Sequence, residues 1–204
     1  MGSYAGQPAR PWEVLLLGGP SGAGKTSVSY RLANWFGIGI TEIDDFQALL
    51  ERMTSPEQQP AIHFFASHPA PNELPASEIM DGLLALGRAM SPGLEAVIAN
   101  HLETSTPVVL EGDFILPALA AQASFAGQPN GGRVRAIFLH ETDEARLAAN
   151  FLSRELRAGP QVGRARVSWL HGQWLAREAK ALGLPVVPAR PWATTFERVV
   201  AAVS

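Results

Sequence analysis

Residues 19–26 read Gly-Pro-Ser-Gly-Ala-Gly-Lys-Thr and match G-x-x-x-x-G-K-[ST] without exception. This pattern constrains the fold because it works in one setting only: a strand runs into the loop and a helix starts at its lysine. Both flanks are present. Trp12 to Leu17 is an apolar run of strand length, and Lys25 to Phe36 sets Val28, Leu32 and Trp35/Phe36 on one helical face. The glycines allow successive backbone N–H groups to turn inward around phosphate oxygens. The helix N-terminus adds free N–H groups and the positive end of its dipole. Gly19, Pro20, Ser21, Gly22, Ala23, Gly24, Lys25 and Thr26, followed by Ser27, are therefore expected to cradle the phosphates of a nucleotide such as ATP. Lys25 would reach the β- and γ-phosphates, and the Thr26 hydroxyl would ligate Mg²⁺. Lys25 is also one of only two lysines, Lys180 being the other; all remaining cations are arginine. A compact ammonium on a flexible stem stands where the loop needs one.

Composition narrows the setting. A chain of 204 residues, 47% hydrophobic and 17% charged, suits one globular domain. A net charge of −3 speaks against a nucleic-acid partner. Without cysteine, neither disulfides nor thiolate metal sites can form. No apolar run nears membrane-spanning length, no signal peptide is visible, and Gly6 stands where a myristoylation signal needs Ser or Thr. The expectation is a cytoplasmic protein with no membrane partner, either as a monomer or as a homodimer. Residues 1–11 read as a flexible lead-in and 12–204 as a single domain.

Strand and helix signals alternate along that domain. A strand over 37–43 should end at Asp44-Asp45, with a helix over 46–53. Residues 54–76 hold five prolines and read as irregular, although His63, Phe64, Phe65 and His68 are unusual for a linker. Ser77 should cap a helix to Met90, and Ser91-Pro92 a second one to Glu103. Pro107 to Leu110 is a strand that closes on Glu111-Gly112-Asp113, 126–132 a loop and Val134 to Leu139 a strand. Thr142-Asp143-Glu144 opens a helix to Arg157. Gly159 to Gly163 breaks it, and a helix over 164–182 stops at Gly183. Pro185 to Val187 and 195–203 complete the chain. This predicts a three-layer α/β/α fold around a five-stranded parallel sheet, with ligands at the carboxyl ends of the strands.

Four stretches together resemble small-molecule kinases of the uridine kinase and phosphoribulokinase type. They are the loop, Ile43-Asp44-Asp45-Phe46, Val108 to Gly112, and Ile137 to Asp143 with Arg146-Leu147 and Arg154. 2-Phosphoglycerate kinase-like and antibiotic phosphotransferase-like proteins share the outline. A uridine-binding segment is not recognisable, and Gln47 stands where that family carries Tyr. The resemblance implies ATP- and Mg²⁺-dependent phosphoryl transfer to a small hydroxyl-bearing acceptor, with an acceptor-side insertion at 54–105 and a lid at 154–166. It places the general base at Asp44, with Asp45 the close alternative.

Phosphoryl transfer also needs charge neutralisation. Glu111, closing an apolar strand beside the loop, is the candidate for the Mg²⁺ shell, and Asp113 is an alternative or an acceptor contact. Arg154, Arg157, Arg164 and Arg166 bracket the glycine break, with Arg154 and Arg164 the first candidates to touch phosphates. His63, His68, Phe64 and Phe65 either line the acceptor pocket or form a small core of their own. Trp192, in Arg190-Pro191-Trp192, is a candidate to stack on adenine.

Overall fold

The computed structural model of the chain describes residues 8–68 and 74–204. Residues 1–7 of the expected lead-in, and Pro69 and Pro71 of the proline-rich stretch, lie outside the described residues. Five parallel strands form the sheet in the order β2-β3-β1-β6-β7. They are β1 (Val14–Gly18), β2 (Gly39–Glu42), β3 (Val108–Gly112), β6 (Val134–His140) and β7 (Val186–Pro188). The intervening β4 (Ser124–Phe125) and β5 (Gln128–Pro129) pair as a small antiparallel hairpin, β5 lying within the 126–132 stretch expected to be a loop and β4 just before it.

The apolar strands sort their side chains by alternation. Val14, Leu16, Val108, Leu110, Ala136 and Phe138 face a core shared with α4 (Ala76–Thr104), α5 (Pro117–Ala120) and α7 (Val162–Ala181). Leu15, Leu17, Val109, Ile137 and Leu139 face a second core, covered by α1 (Lys25–Phe36) and α8 (Thr195–Val203). Near-continuous apolar strands thus bury both faces, the expected three-layer arrangement. A third cluster of Leu147, Phe151 and Ala165 joins α6 (Glu144–Arg154) to α7.

Two expected boundaries are corrected. β2 stops at Glu42, and α2 (Ile43–Met53) begins at once, so Asp44 and Asp45 lie in the first turn of a helix and not at a strand end. Acidic residues there are favoured by the helix dipole. The helix pair expected over 77–103 is one 29-residue helix, α4, with Pro92 inside it. Met90, Leu94 and Ile98, on both sides of the proline, are buried in the same core, and that burial carries the helix through. Among its described residues, the stretch 54–105 holds α3 (Phe64–Ser67) and α4 between β2 and β3.

Pro92 gives a test of this continuity. An interior proline offers no N–H to the carbonyl four residues earlier and costs about 3 kcal/mol relative to alanine. Pro92→Ala should raise the thermal unfolding midpoint; a lowered midpoint would mean that Pro92 begins a separate helix.

Candidate functional site

Strand register builds the site. Gly18, the last residue of β1, pairs with Gly112 of β3, and Leu17 pairs with Glu111. Glu111 pairs in turn with Glu42 of β2, the residue before α2. The loop leaving β1 therefore emerges beside Glu111-Gly112-Asp113 and the start of α2. Gly24 takes a left-handed conformation (φ 93°) at the head of α1, and a Cβ there would come within 2.5 Å of the Trp192 ring. Only glycine satisfies both demands.

Lys25 is buried. Its ammonium donates to the Pro20 carbonyl at 3.2 Å and forms a close ion pair with Asp113. Burial works against its charge, but Asp113, Glu111 and Asp44 outweigh that and raise its pKa. The Thr26 hydroxyl donates to Glu111 Oε1 at 2.7 Å. Burial raises the Glu111 pKa, while Lys25 and the Thr26 hydrogen bond oppose the shift. A hydroxyl and a carboxylate in contact form a hard-oxygen pair of the kind Mg²⁺ accepts alongside phosphate oxygens and water. Thr26 and Glu111 are thus the residues here able to hold that ion. Among the described residues no three His, Asp or Glu side chains form a metal site by themselves.

These groups open into a cavity of about 740 Å³. It is lined by the loop from Ser21 to Ser27 and by the carboxylates Glu42, Asp44, Glu111 and Asp113. Arg154, Arg164, Arg190 and Trp192 line it as well. Asp44 is exposed and lines the concavity. Burial first, then the charge of Asp113, raises its pKa; Lys25 pulls the other way. Asp45 is exposed and lies outside this lining.

Of the four arginines around the glycine break, Arg154 and Arg164 reach the cavity. Both pair with Glu155, at 3.0 Å each, and Arg164 also lies over the Phe151 ring at 4.4 Å. Arg166 turns instead to Glu144 at 2.8 Å and to Trp169, while Arg157 is exposed outside the cavity. The histidine–phenylalanine segment is mainly a local core. Phe64 packs edge-on against Phe65 and fills the space over Gly82, and His63 is buried against the Thr54 hydroxyl at 3.1 Å. Only Phe65 reaches a cavity, a second one that adjoins the first.

Three contributors carry no sequence motif. Asn150 of α6 donates to the Gly22 carbonyl at 2.9 Å and so ties α6 to the loop. Asp113 is the direct partner of Lys25 across 88 positions. Arg190 enters the cavity while held by buried Glu141 at 3.0 Å.

No family model matches the chain. It is similar to curated 2-phosphoglycerate kinases. That of Pyrococcus horikoshii is 29% identical over 110 residues, which is 51% of this chain and 36% of the relative. That of Methanothermobacter thermautotrophicus is 23% identical over 212 residues, covering 92% and 64% respectively. The chain therefore spans between about a third and two thirds of the length of these relatives. Among solved structures it resembles a sugar kinase from Janibacter sp., at 19% identity and TM-score 0.52 over 94% of both chains. It also resembles a shikimate kinase from Acinetobacter baumannii, at 16% identity and TM-score 0.52 over 94% of both chains. At these identities the structural likeness speaks for the three-layer α/β/α fold alone. The resemblance to uridine kinases in particular gains no support; the sequence relatives are 2-phosphoglycerate kinases.

The raised pKa of Asp44 has a measurable consequence. In the folded protein its ionised form carries a cost that the unfolded chain does not bear. That cost is absent below the unfolded-state value, near pH 4, and complete above the raised folded-state value. Asp44→Asn should therefore raise the unfolding midpoint at pH 7–8, and the gain should vanish below about pH 4. An equal gain at both pH values would contradict this origin.

Proposed function

We propose that the chain is an ATP- and Mg²⁺-dependent kinase that transfers the γ-phosphoryl group to a hydroxyl of a small molecule. The observation that carries this reading is the meeting of the phosphate loop with Asp44, Glu111 and Asp113 at one end of the sheet. A loop that only stored nucleotide would not need a carboxylate poised beside the γ-phosphate position. The similarity to 2-phosphoglycerate kinases favours the same reaction type.

In this reading the acceptor oxygen forms a bond to the γ-phosphorus as the bond to the β–γ bridging oxygen breaks, and ADP leaves. The hydroxyl proton passes to Asp44, whose raised pKa favours proton acceptance. Asp113, bordering both cavities, orients the hydroxyl. Lys25, Arg154 and Arg164 offset the charge on the phosphoryl oxygens. Thr26 and Glu111 would hold Mg²⁺, which would supply charge neutralisation for the phosphates. The segment 154–166, which turns at Gly159 (φ 67°), serves as a lid that excludes water. Trp192, packed on Gly24, stacks on the adenine ring.

Transfer of ³²P from γ-labelled ATP tests the reading. Asp44→Asn should lower kcat by about 10²–10⁴-fold while ATP affinity stays within about twofold. Wild-type rates in this variant would remove Asp44 as the base. Trp192→Ala should raise the KM for ATP about three- to tenfold with kcat unchanged; an unchanged KM would place the adenine elsewhere.

A further inference from the structure

The second cavity, of about 310 Å³, opens beside the first and shares Ser21, Asp113 and Arg164 with it. Its size suits a small metabolite. Its position puts any occupant next to Asp113, at the mouth of the phosphate cradle. On the kinase reading given above, this is where the acceptor lies.

The walls define the acceptor's chemistry. Phe65, Leu83, Phe114 and Val167 make most of the surface apolar. Arg164 is the only lysine or arginine in the lining. It is already committed: its Nη1 donates to both Glu155 oxygens, at 3.0 and 3.1 Å, and its guanidinium lies over Phe151. The one carboxylate, Asp113, is paired with Lys25. His171 does not supply a further cation. Its ring is buried, its Nε2 has no partner, and burial holds its pKa at about 4, so the imidazole is neutral.

A phosphomonoester brings nearly two negative charges, and burying them calls for dedicated cations, most often forked arginine contacts. This cavity has none to spare, and the transferring phosphoryl group competes for Arg164. We propose that the acceptor is an uncharged hydroxyl compound with an apolar face, bound in the second cavity, and not a phosphorylated metabolite. The 2-phosphoglycerate named for the relatives falls in the class this cavity disfavours.

Matched acceptor pairs test the proposal. The intact chain is given γ-³²P-labelled ATP and Mg²⁺ with hexoses against hexose 6-phosphates, nucleosides against their 5′-monophosphates, and glycerol against glycerol 3-phosphate, with 2-phosphoglycerate added. ATP affinity is measured in parallel. The expected result is transfer to uncharged members, with kcat/KM at least 100-fold above the phosphorylated partner. Equal or better use of phosphorylated members, 2-phosphoglycerate included, would overturn the proposal while upholding the kinase reading. Tight ATP binding without transfer to any member would overturn the kinase reading and this proposal with it. Phe65→Ala should raise the acceptor KM about tenfold and leave ATP affinity unchanged; an unchanged acceptor KM would show that the acceptor does not occupy this cavity.

Discussion

One buried ammonium group organises the active end of the molecule. Lys25 sits at the head of α1 with almost no access to solvent, and an isolated charge there would be prohibitively costly. Its neighbours exist in this arrangement because two separate segments deliver three carboxylates to it. The end of β3 brings Glu111 and, just beyond it, Asp113, and α2 starts with Asp44 in its first turn. The strand register that brings these segments level is fixed by the apolar alternation of β1 and β3, so the cores on both faces of the sheet also set the electrostatics at its edge. Burial raises the Glu111 and Asp44 pKa values, and the neighbouring carboxylates add to it while Lys25 opposes it. A triphosphate adds further negative charge to such a site. That is why the kinase reading requires a divalent cation and the arginines of the cavity lining, and why on that reading the Lys25–Asp113 pair must loosen when phosphates arrive.

The parts legible in the sequence are those with a local physical cause. The loop and α1 follow from a motif whose glycine and lysine roles are stereochemical, and α1 spans Lys25–Phe36 as its periodicity indicates. The sheet strands read as short apolar runs, and α8 begins at Thr195 as expected. Misreadings arose where tertiary burial outweighed a local signal. Ser91-Pro92 has the chemistry of a helix start, yet the core on both sides of it sustains one helix. Ile43 looks like the end of a strand, but its side chain is buried against Gly112 as the first residue of α2. That moved Asp44 and Asp45 onto a helix, where geometry separates them: Asp44 enters the cavity and Asp45 does not.

The acceptor side was least legible because no single stretch encodes it. Its lining comes from α2, α3, α4, α7 and the turn after β3, and only the fold brings Phe65, Leu83, Phe114 and Val167 together. The Lys25–Asp113 and Asn150–Gly22 links are equally long-range. On the kinase reading, phosphoryl transfer rests on a compact set of residues at the ends of β1 and β3 and the start of α2, whereas acceptor choice rests on these dispersed side chains.

The central claim is that this end of the sheet transfers phosphate and does not merely hold nucleotide. Phosphorus NMR of the protein with Mg²⁺, ATP and an uncharged hydroxyl acceptor follows the γ-phosphorus directly. The account predicts that the γ resonance declines as a phosphomonoester resonance grows in equal amount, with ADP as co-product. Conversion of the γ-phosphorus to inorganic phosphate alone, or an unchanged ATP spectrum at saturating nucleotide, would contradict it.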